Sequence, residues 1–561
     1  MTRRPALLLL LLALMLSACA PYGAVGMSVT ATQPVIAASA TASPTLKATR
    51  NPAPSPTPGA TSTPAPPVLW ISPEVPAGLR EGLDLPASVR ITEDQNQANL
   101  FLYGMDGVAV SSAATTLWVY ALAAPFPTIS DSIDFDVLRK AWHEGKPVPG
   151  WELPLLMTAE TQAAMERRLG LPAHGAVRLL DAEALLPTAW EENLLAIIPF
   201  EAIEPRWKVM RIGAISPFDP IGDYPLTVRF DLYGADQSVD GIKLPTNRDP
   251  EKLTRLVMTG VTALSRRIAE KMESDGLTYP AKDIGSLLAE ADLTHISNEV
   301  SFYADCPKPG PLRADMRFCS NPRYIKLLEA VGADVIELTG NHNLDWGFEP
   351  YLYSLEMYRE RGWGVYGGGE NLNASRVPLE IAHNGNSFVF LGCSPAGPEA
   401  VWATEWTPGS APCDLDKLER QITALRAEGR LPILTFQHVE TLGYVPSPAQ
   451  GSPDFRRMAR AGAVIVSGSQ SHYAQTMTLV TGEYGASFVH YGLGNLFFDQ
   501  MEPEEIRPAF IDRHIFYDGR YLGVELVTTI LEEGARPRLM TAVERQEFLT
   551  TIFSLSNWES E

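Results

Sequence analysis

Short apolar segments alternate with amphipathic segments through the second half of the chain. Each apolar segment is four to six residues long and is rich in β-branched and aromatic side chains, as buried strands are. The segments lie at residues 256–259, 293–297, 335–339, 387–392, 431–436, 463–467 and 487–491. The alternation predicts a layered α/β sheet whose functional groups gather at the carboxyl ends of the strands.

The amphipathic segment at residues 414–430 shows the helical repeat clearly. Its apolar positions recur at spacings of three and four: Leu415, Leu418, Ile422 and Leu425. Asp414 is placed to cap the start of a helix, and Gly429 is placed to end it. The spacing therefore predicts a helix with one apolar face against the sheet.

A second α/β region is predicted at residues 68–245. Its strand-like segments lie at residues 99–103, 116–122, 194–199 and 226–233, and residues 158–169 have a helical pattern. A cluster of hydroxyl groups occurs between the first two strands: Ser111, Ser112, Thr115 and Thr116. The cluster would suit a small anion, although a polar surface loop is the favoured interpretation.

Two motifs in this region carry a family resemblance. Residues 123–129 are followed by residues 135–142, and Ser216-Pro217-Phe218-Asp219-Pro220 leads into residues 224–227. In these features the region resembles a type 2 periplasmic solute-binding domain, which implies an N-terminal periplasmic-binding-like α/β domain. No set of residues indicates which ligand such a domain would bind. The alternative to a functional binding domain is one that no longer binds any ligand.

The N-terminus has the layout of a targeting segment. Arg3 and Arg4 precede an apolar run at residues 6–16, which is too short to span a bilayer comfortably. Leu16-Ser17-Ala18-Cys19 resembles the bacterial lipoprotein box, so residues 1–19 are predicted to be a lipoprotein signal peptide with Cys19 lipidated; a plain secretory signal is the alternative. We expect an extracytoplasmic protein that is lipid-anchored to the cell membrane.

Residues 20–67 are dominated by Ala, Thr, Ser and Pro. Such a segment cannot bury enough apolar surface to fold, and its prolines keep it extended. It is predicted to be a disordered stalk that lifts the folded part off the membrane.

Charge and cysteine usage narrow the function classes. The chain has 561 residues, a net charge of -21 and a pI near 5.0, which argue against a nucleic-acid partner. Four cysteines besides Cys19 form an even set: Cys306, Cys319, Cys393 and Cys413. Pairing near neighbours would close two disulfide loops, three pairings are possible, and a zinc site of four thiolates is the alternative, which no Cys-x-x-Cys spacing supports.

Five of the predicted strands in the second half end in side chains suited to a metal ion or a phosphate. These residues are Asn298 and Glu299, then Asn341, His342 and Asp345, then His438 and Glu440, then His472, and finally Asn495. Imidazole, carboxylate and amide groups that arrive singly from separate strands suit a cation site, because no one loop can surround an ion. The sequence therefore predicts one pocket at the edge of the sheet.

The same residues lie in motifs that carry a second family resemblance. The motifs are Asn298-Glu299, Leu338-Thr339-Gly340-Asn341-His342, Gln437-His438-Val439-Glu440, Ser467-Gly468-Ser469-Gln470-Ser471-His472 and Gly492-Leu493-Gly494-Asn495-Leu496-Phe497-Phe498-Asp499-Gln500. In order and spacing they resemble the CapA/PgsA capsule and poly-γ-glutamate synthesis proteins over residues 256–500. The resemblance implies a calcineurin-like metallophosphoesterase fold of four layers, in a domain placed here at residues 252–552.

The resemblance also implies roles for these residues. It makes His342 and Asp345 catalytic, with His342 as proton donor or transition-state stabiliser. The implied metal ligands are Glu299, Asn341, His438 and His472, and the implied substrate contacts are Asn298, Glu440 and Asn495. Val261 stands where the family has an aspartate ligand, and Ser469 where it often has a histidine. We therefore expect one divalent ion, or none, rather than two, and Mn, Mg, Fe and Zn are not distinguished.

Two hypotheses for the function follow. The first is a surface-anchored enzyme or accessory factor of capsule or poly-γ-glutamate synthesis or export, possessing a phosphoesterase-like pocket. Its partners would be the membrane, through lipidated Cys19, and an anionic exopolymer or its synthesis machinery. The second is a non-catalytic binding or assembly lipoprotein with a degenerate metal site. A bound divalent ion with phosphatase activity would favour the first hypothesis.

Overall fold

The computed structural model describes residues 66–104, 113–234, 241–310, 316–448 and 454–558. The predicted leader with Cys19, nearly all of the predicted stalk, and Ser111 and Ser112 lie outside these residues. Residues 64–561 form one compact unit. Within the described ranges, none of the helices has the length and apolarity required to cross a membrane.

The first part of this unit has eleven strands within the described residues, and nine of them form one mixed sheet. The strands are β1 (Val68–Ile71), β2 (Arg90–Thr92), β3 (Leu100–Gly104), β4 (Ala114–Pro125), β5 (Ser132–Ile133), β6 (Leu155–Met157), β7 (Val177–Leu179), β8 (Ala196–Pro199), β9 (Trp207–Val209), β10 (Arg211–Ile212) and β11 (Thr227–Gly234). The helices are α1 (Ala77–Glu81), α2 (Phe135–Glu144), α3 (Ala159–Leu169) and α4 (Ala182–Glu192). The sheet order is β2-β1-β3-β11-β4-β8-β6-β7, with β9 beside β4, while β5 and β10 pair separately.

The strands and the helix predicted in this region are confirmed as β3, β4, β8, β11 and α3. The β4 strand is long and almost wholly buried beyond Leu117, which explains its apolar sequence. Helix α3 starts after Thr158, whose side chain accepts a hydrogen bond from the backbone N–H of Thr161 at 3.1 Å.

The second part contains two larger sheets, besides one small two-stranded sheet. Its strands are β12 (Leu253–Thr262), β13 (Leu293–Asn298), β14 (Val335–Glu337), β15 (Gly364–Tyr366), β16 (Gly368–Gly369), β17 (Leu379–His383), β18 (Asn386–Cys393), β19 (Gly409–Ser410), β20 (Leu431–Gln437), β21 (Ile465–Ser469), β22 (Met477–Gly482), β23 (Gly485–His490), β24 (Asn495–Phe497), β25 (Pro508–Tyr517), β26 (Arg520–Glu532) and β27 (Arg536–Leu539). Its helices are α5 (Arg266–Asp275), α6 (Gly285–Ala289), α7 (Ile325–Ala330), α8 (Phe348–Glu360), α9 (Leu372–Ser375), α10 (Leu415–Ala427), α11 (Phe455–Arg460) and α12 (Ala542–Leu555).

One of these sheets has the order β15-β14-β13-β12-β25-β26-β27, with β24 also beside β12. The other has the order β17-β18-β20-β21-β23-β22. The apolar core between them joins Met258 and Val335 of the first sheet to Phe390 and Ile433 of the second. Helices cover both outer faces, with α5 to α8 on the first sheet and α10 and α11 on the second. The predicted four-layer α/β sandwich is therefore confirmed.

The predicted helix at residues 414–430 is confirmed as α10. The side chain of Asp414 caps it by accepting from the backbone N–H of Lys417 at 3.1 Å. Gly429 follows the helix with φ of 76°, a left-handed conformation that glycine adopts without strain.

The first part packs against the second through apolar side chains. Leu253, Ile515 and Leu522 belong to the same buried cluster as the core of the nine-stranded sheet. The rings of Phe126 and Phe488 also meet edge to face, with their centroids 5.7 Å apart. The two parts therefore share buried surface, in addition to the covalent link at residues 241–252.

Both disulfides join cysteines that are near in sequence. Cys306 is bonded to Cys319, and Cys393 is bonded to Cys413. This confirms the pairing of near neighbours. The alternative of a four-thiolate zinc site is wrong, because all four sulfur atoms are used in disulfide bonds.

Candidate functional site

Neighbouring strands of the first sandwich sheet end at one rim. Val261 in β12 pairs with Asn495 in β24, and Thr262 pairs with Asn298 at the end of β13. Just beyond the next strand, Val300 pairs with His342 in an isolated bridge. The rim therefore receives Glu299, His342 and Asn495 from segments that are far apart in the chain.

Gly340 allows two of these segments to touch. A Cβ atom at this position would lie 2.5 Å from both Cα and Cβ of Glu299, closer than real Cβ atoms come to any neighbour. The glycine before Asn341 and His342 therefore lets the loop after β14 lie directly on Glu299.

Glu299 is the most unusual group at the rim. Its side chain is buried, with the residue only 2% exposed, and neither carboxylate oxygen has a hydrogen-bond partner within the described residues. The side-chain amide of Gln437 approaches it without meeting hydrogen-bond geometry. Burial raises the pKa of Glu299 to about 7, although the charges of His342 and Arg266 favour its ionised form.

His342 is held by a carboxylate. Its Nδ1 lies 2.8 Å from Oδ2 of Asp345, and that same oxygen accepts the backbone N–H of Phe318 at 2.7 Å. The ring of Phe318 packs on the imidazole, with the two centroids 4.6 Å apart. Burial lowers the pKa of His342, but the hydrogen bond to Asp345 and the charge of Glu299 outweigh it and place the pKa above its ordinary value. The raised pKa favours the protonated imidazole, which is the form that can give a proton to a leaving group.

Arg266 supplies a cation that the sequence analysis missed. It opens helix α5 with φ of 47°, a conformation that non-glycine residues seldom adopt. Its guanidinium lies between two rings, 4.7 Å from the centroid of Phe318 and 4.9 Å from that of Phe498, and it forms an ion pair with Asp499. The sequence offered one signal for this residue. Arg266 follows shortly after β12, the strand in which Val261 stands where the resembled family has an aspartate ligand.

His472 and Asn495 meet at the same rim. Nδ1 of His472 lies 2.7 Å from Oδ1 of Asn495, and its ring packs on Phe498 at 4.4 Å between centroids. Burial, together with the nearby charges of Arg266 and His342, lowers the pKa of His472 to about 4. The imidazole is therefore neutral at pH 7, and with Nδ1–H donating to Asn495 its Nε2 keeps a free lone pair.

The second sandwich sheet reaches the rim through Gln437. The Nε2 of Gln437 donates to Oδ1 of Asn341 at 3.2 Å and to Oε1 of Gln470 at 2.6 Å. The hydroxyl of Ser469 donates to Oε1 of Gln437 at 2.7 Å. These bonds join the edges of the two sheets, and we call the group formed by Glu299, Asn341, His342, Asp345, Arg266, Gln437, His472 and Asn495 the rim pocket.

Three predicted site residues do not reach the rim pocket. His438 accepts the backbone N–H of Val439 on Nδ1 at 2.9 Å and places Nε2 3.5 Å from Asp454. Glu440 is exposed, and Asn298 donates to the hydroxyl of Tyr358 at 2.8 Å. β20 ends at Gln437 and β13 ends at Asn298, so each of these two pairs of neighbours straddles the end of its strand, and only Gln437 and Glu299 contribute to the rim pocket.

The metal ion implied by the family resemblance can be tested against these donors. The unpartnered carboxylate of Glu299 fits a cation, and His472 and Asn341 offer a nitrogen and an amide oxygen. Val261 has no side-chain oxygen, and the described residues hold no group of three His, Cys, Asp or Glu side chains that could ligate a metal. The residues present therefore fit one divalent ion, completed by amide oxygen or water, and do not fit two.

Two of the four hydroxyls in the predicted anion-site cluster, those of Thr115 and Thr116, form hydrogen bonds within the protein. The hydroxyl of Thr115 donates to Oδ1 of Asp231 at 2.5 Å, and that of Thr116 donates to the carbonyl of Pro245 at 2.7 Å. Both hydroxyls are thus used within the protein, which agrees with the interpretation as a polar segment.

The raised pKa of Glu299 predicts a pH-dependent stability. With chelator present, the contribution of Glu299 to the free energy of unfolding should fall as the pH rises from 4.5, the ordinary pKa, to about 7, because the folded state resists ionisation of this carboxyl. The loss should reach ~3 kcal/mol and stay constant above that window. Urea unfolding at pH 4.5, 6 and 8 should show Glu299→Gln gaining stability over the wild type as the pH rises.

The exposed Glu191→Gln variant is the control for this measurement, since its carboxyl lies on the surface of the first part. Its stability relative to the wild type should not change over the same pH range. A Glu299→Gln variant with the same relative stability at all three pH values would contradict the environment described for Glu299.

Comparisons with known proteins address the same part of the chain. Residues 255–500 match the family described as bacterial capsule synthesis protein PGA_cap. The capsule biosynthesis protein CapA of Bacillus anthracis is 24% identical over 315 residues, which cover 55% of this chain and 75% of that protein. The PGA biosynthesis protein CapA of Bacillus subtilis (strain 168) is 22% identical over 201 residues, 36% of this chain and about half (52%) of that protein.

Solved structures were compared in the same way. The structure of Haemophilus influenzae NAD nucleotidase (NadN) aligns with 55% of this chain and 57% of its own, at 11% identity and a TM-score of 0.31.

Proposed function

Because residues 255–500 form a CapA-type domain, we propose that this protein serves capsule or poly-γ-glutamate formation on the outer side of the cytoplasmic membrane. In this proposal Cys19 is lipidated and anchors the chain, and the Pro-rich residues 20–67 hold the folded part away from the bilayer. The partner is an anionic exopolymer or the machinery that makes it. The net charge of -21 supports the absence of a nucleic-acid partner.

The rim pocket is the proposed working site. The observation that carries this proposal is the buried carboxyl of Glu299, which has no hydrogen-bond partner among the described residues and lies beside the charges of His342 and Arg266. An isolated buried carboxyl is costly to a fold, so its place in a cluster of proton-transferring and cationic groups indicates function. Arg266 would orient an anionic phosphate or carboxylate group of the polymer or its precursor.

The proposed reaction is hydrolysis of a phosphoester-like bond. One oxygen of the Glu299 carboxylate takes a proton from water as the water oxygen bonds to the attacked centre. His342, held by Asp345, gives its proton to the leaving oxygen as the bond to that oxygen breaks. Glu299, His472 and Asn341 would hold a divalent ion, which when bound supplies Lewis-acid polarisation of the attacked group.

The proposal is tested in a host that makes the exopolymer. Deleting the gene should abolish surface polymer, and the wild-type chain should restore it. Purified full-length protein should carry one divalent ion per chain, measured by elemental analysis, and should hydrolyse p-nitrophenyl phosphate. A deletion strain with unchanged polymer would contradict the proposal.

A second candidate function is a non-catalytic role in polymer binding or assembly. It is favoured by Val261 in place of a carboxylate ligand and by the lack, within the described ranges, of a three-membered His, Cys, Asp or Glu metal group. Under this candidate the protein would contain no metal and hydrolyse nothing, and variants that remove the proton-transfer groups would still restore polymer. The complementation assay therefore separates the two candidates.

A further inference from the structure

A cavity of about 370 Å³ lies in the first part of the molecule, remote in sequence from the rim pocket. Its walls come from the starts of α1, α3 and α4 and from the strands β4 and β8. Aromatic rings form one side of the lining: Trp118, Tyr120 and Trp207. Carboxylates form another: Glu160, Glu183, Glu201 and Glu204. We call it the acidic cavity.

The floor of the acidic cavity contains a hydroxyl group with no partner. Tyr120 is 1% exposed, and its Oη makes no hydrogen bond within the described residues. Trp118 is 3% exposed and lies beside it on β4. Buried hydroxyls normally have a partner, because leaving one unpaired costs ~1–3 kcal/mol. A ligand atom in the cavity would supply that partner.

Glu160, Glu183 and Glu201 are exposed at the mouth of the acidic cavity, and hydrogen bonds hold two of them in place. Oε2 of Glu201 accepts a hydrogen bond from Nδ2 of Asn247 at 2.6 Å, and Glu160 accepts the backbone N–H of Ala77 at the start of α1. A Cβ atom at Gly78 would lie 3.4 Å from Oε1 of Glu201, so helix α1 packs closely on this group. The two glutamates are also near enough for the charge of Glu160 to help raise the pKa of Glu201, which burial raises first.

The charge of the lining is strongly negative. Among the described lining residues Arg206 is the single cation, and it is paired with Glu204 at 2.9 Å. Glu160, Glu183 and Glu201 therefore have no matching cation in the wall of the acidic cavity. Such a lining repels phosphate, carboxylate and polymer segments like those proposed for the rim pocket.

A metal ion does not fit this cavity either. The described residues include no group of three acidic, histidine or cysteine side chains arranged for a metal, and the remaining lining is largely aromatic and aliphatic. Aromatic faces attract organic ammonium groups, and carboxylates at the same site neutralise their charge. The volume suits a small ligand rather than a polymer.

We propose that the acidic cavity binds a small organic cation with an ammonium group. The ammonium lies between the carboxylates of Glu201 and Glu160 and packs against the rings of Trp118 and Tyr120. The Tyr120 hydroxyl takes a hydrogen bond from it. This site is independent of the rim pocket and of the function proposed for it.

Binding is tested by calorimetry and tryptophan fluorescence on the full-length protein. The probes are 1,4-diaminobutane and ethanolamine as cations, and inorganic phosphate and succinate as anions. At least one cation should bind saturably with a change in tryptophan emission, and phosphate should not. Glu201→Gln should weaken binding at least about tenfold, whereas the surface variant Glu191→Gln should bind as the wild type does.

Tyr120→Phe separates a binding role from a structural one. Removing an unpartnered buried hydroxyl should leave the melting temperature unchanged or raised, while cation binding weakens at least about threefold. The proposal is overturned if neither cation binds at up to about 10 mM, if phosphate or succinate binds more tightly than the cations, or if Glu201→Gln binds like the wild type. This test does not use polymer complementation. The cation-binding proposal and the proposed function of the rim pocket can therefore each be contradicted without the other.

Discussion

Replacing His342 by alanine is expected to reduce exopolymer formation at least about 100-fold, because it removes the group that protonates the leaving oxygen. Polymer is measured per cell in the deletion strain that carries each variant. Glu299→Gln should cause a loss of similar size, since the amide cannot take a proton from water while it keeps the volume of the side chain. Both residues lie in contact with the loop that Gly340 allows to pack on the rim.

The matched control for the histidine is His174→Ala, because His174 is exposed on the first part of the molecule. It should restore polymer to the wild-type level. Full restoration by His342→Ala and Glu299→Gln, with both proteins present at normal amounts, would exclude the catalytic proposal and favour the binding candidate. Thermal unfolding of each purified variant shows whether a loss comes from instability.

Gly260→Ala is expected to destabilise the protein by ~3 kcal/mol or more. The added Cβ would lie 2.1 Å from the carbonyl oxygen of Gly494 and 2.8 Å from its carbonyl carbon. Both are backbone atoms, so relief requires β12 and the chain leading into β24 to separate. The separation would also move Asn495, the partner of His472. Urea or thermal unfolding measures the loss.

Gly222→Ala is the control for this substitution. A Cβ at Gly222 would meet no atom within 4 Å, so this variant should remain close to the wild type in stability. Equal stability of the two alanine variants would mean that β12 and the Gly494 segment do not approach as described.

The sequence predicted the layers well because local patterns decide them. Apolar runs of β-branched and aromatic residues became β13, β14, β18, β20 and β21, and the stripe from Leu415 to Leu425 became the buried face of α10. The near-neighbour pairing of the cysteines also held, because each pair bounds one short loop. These features depend on sequence spacing alone.

The site was predicted less completely because the path of the chain just beyond each strand decides which side chains reach the rim. The motif Gln437-His438 offers an imidazole beside an amide, and chemistry favoured the imidazole. In the fold Gln437, the last residue of β20, bonds to Asn341, and His438 lies beside Asp454. Arg266 follows its strand at a position where only folding shows that Phe318 and Phe498 enclose it.

The acidic cavity was invisible in the sequence for a related reason. Trp118 and Tyr120 belong to an apolar strand that predicts a core, and Glu160 and Glu201 lie on separate elements far along the chain. Their meeting depends on the order of β4 and β8 in the sheet and on the packing of α1 and α3. Apolar periodicity does not encode that order.

Histidine NMR of the wild type and of Glu299→Gln tests the convergence of distant residues at the rim most directly. The carboxylate of Glu299 helps to hold the pKa of His342 above its ordinary value, so its replacement by an amide should lower the pKa of His342. The signal of exposed His174 serves as reference and should not move. An unchanged His342 titration would show that these two side chains do not share a pocket.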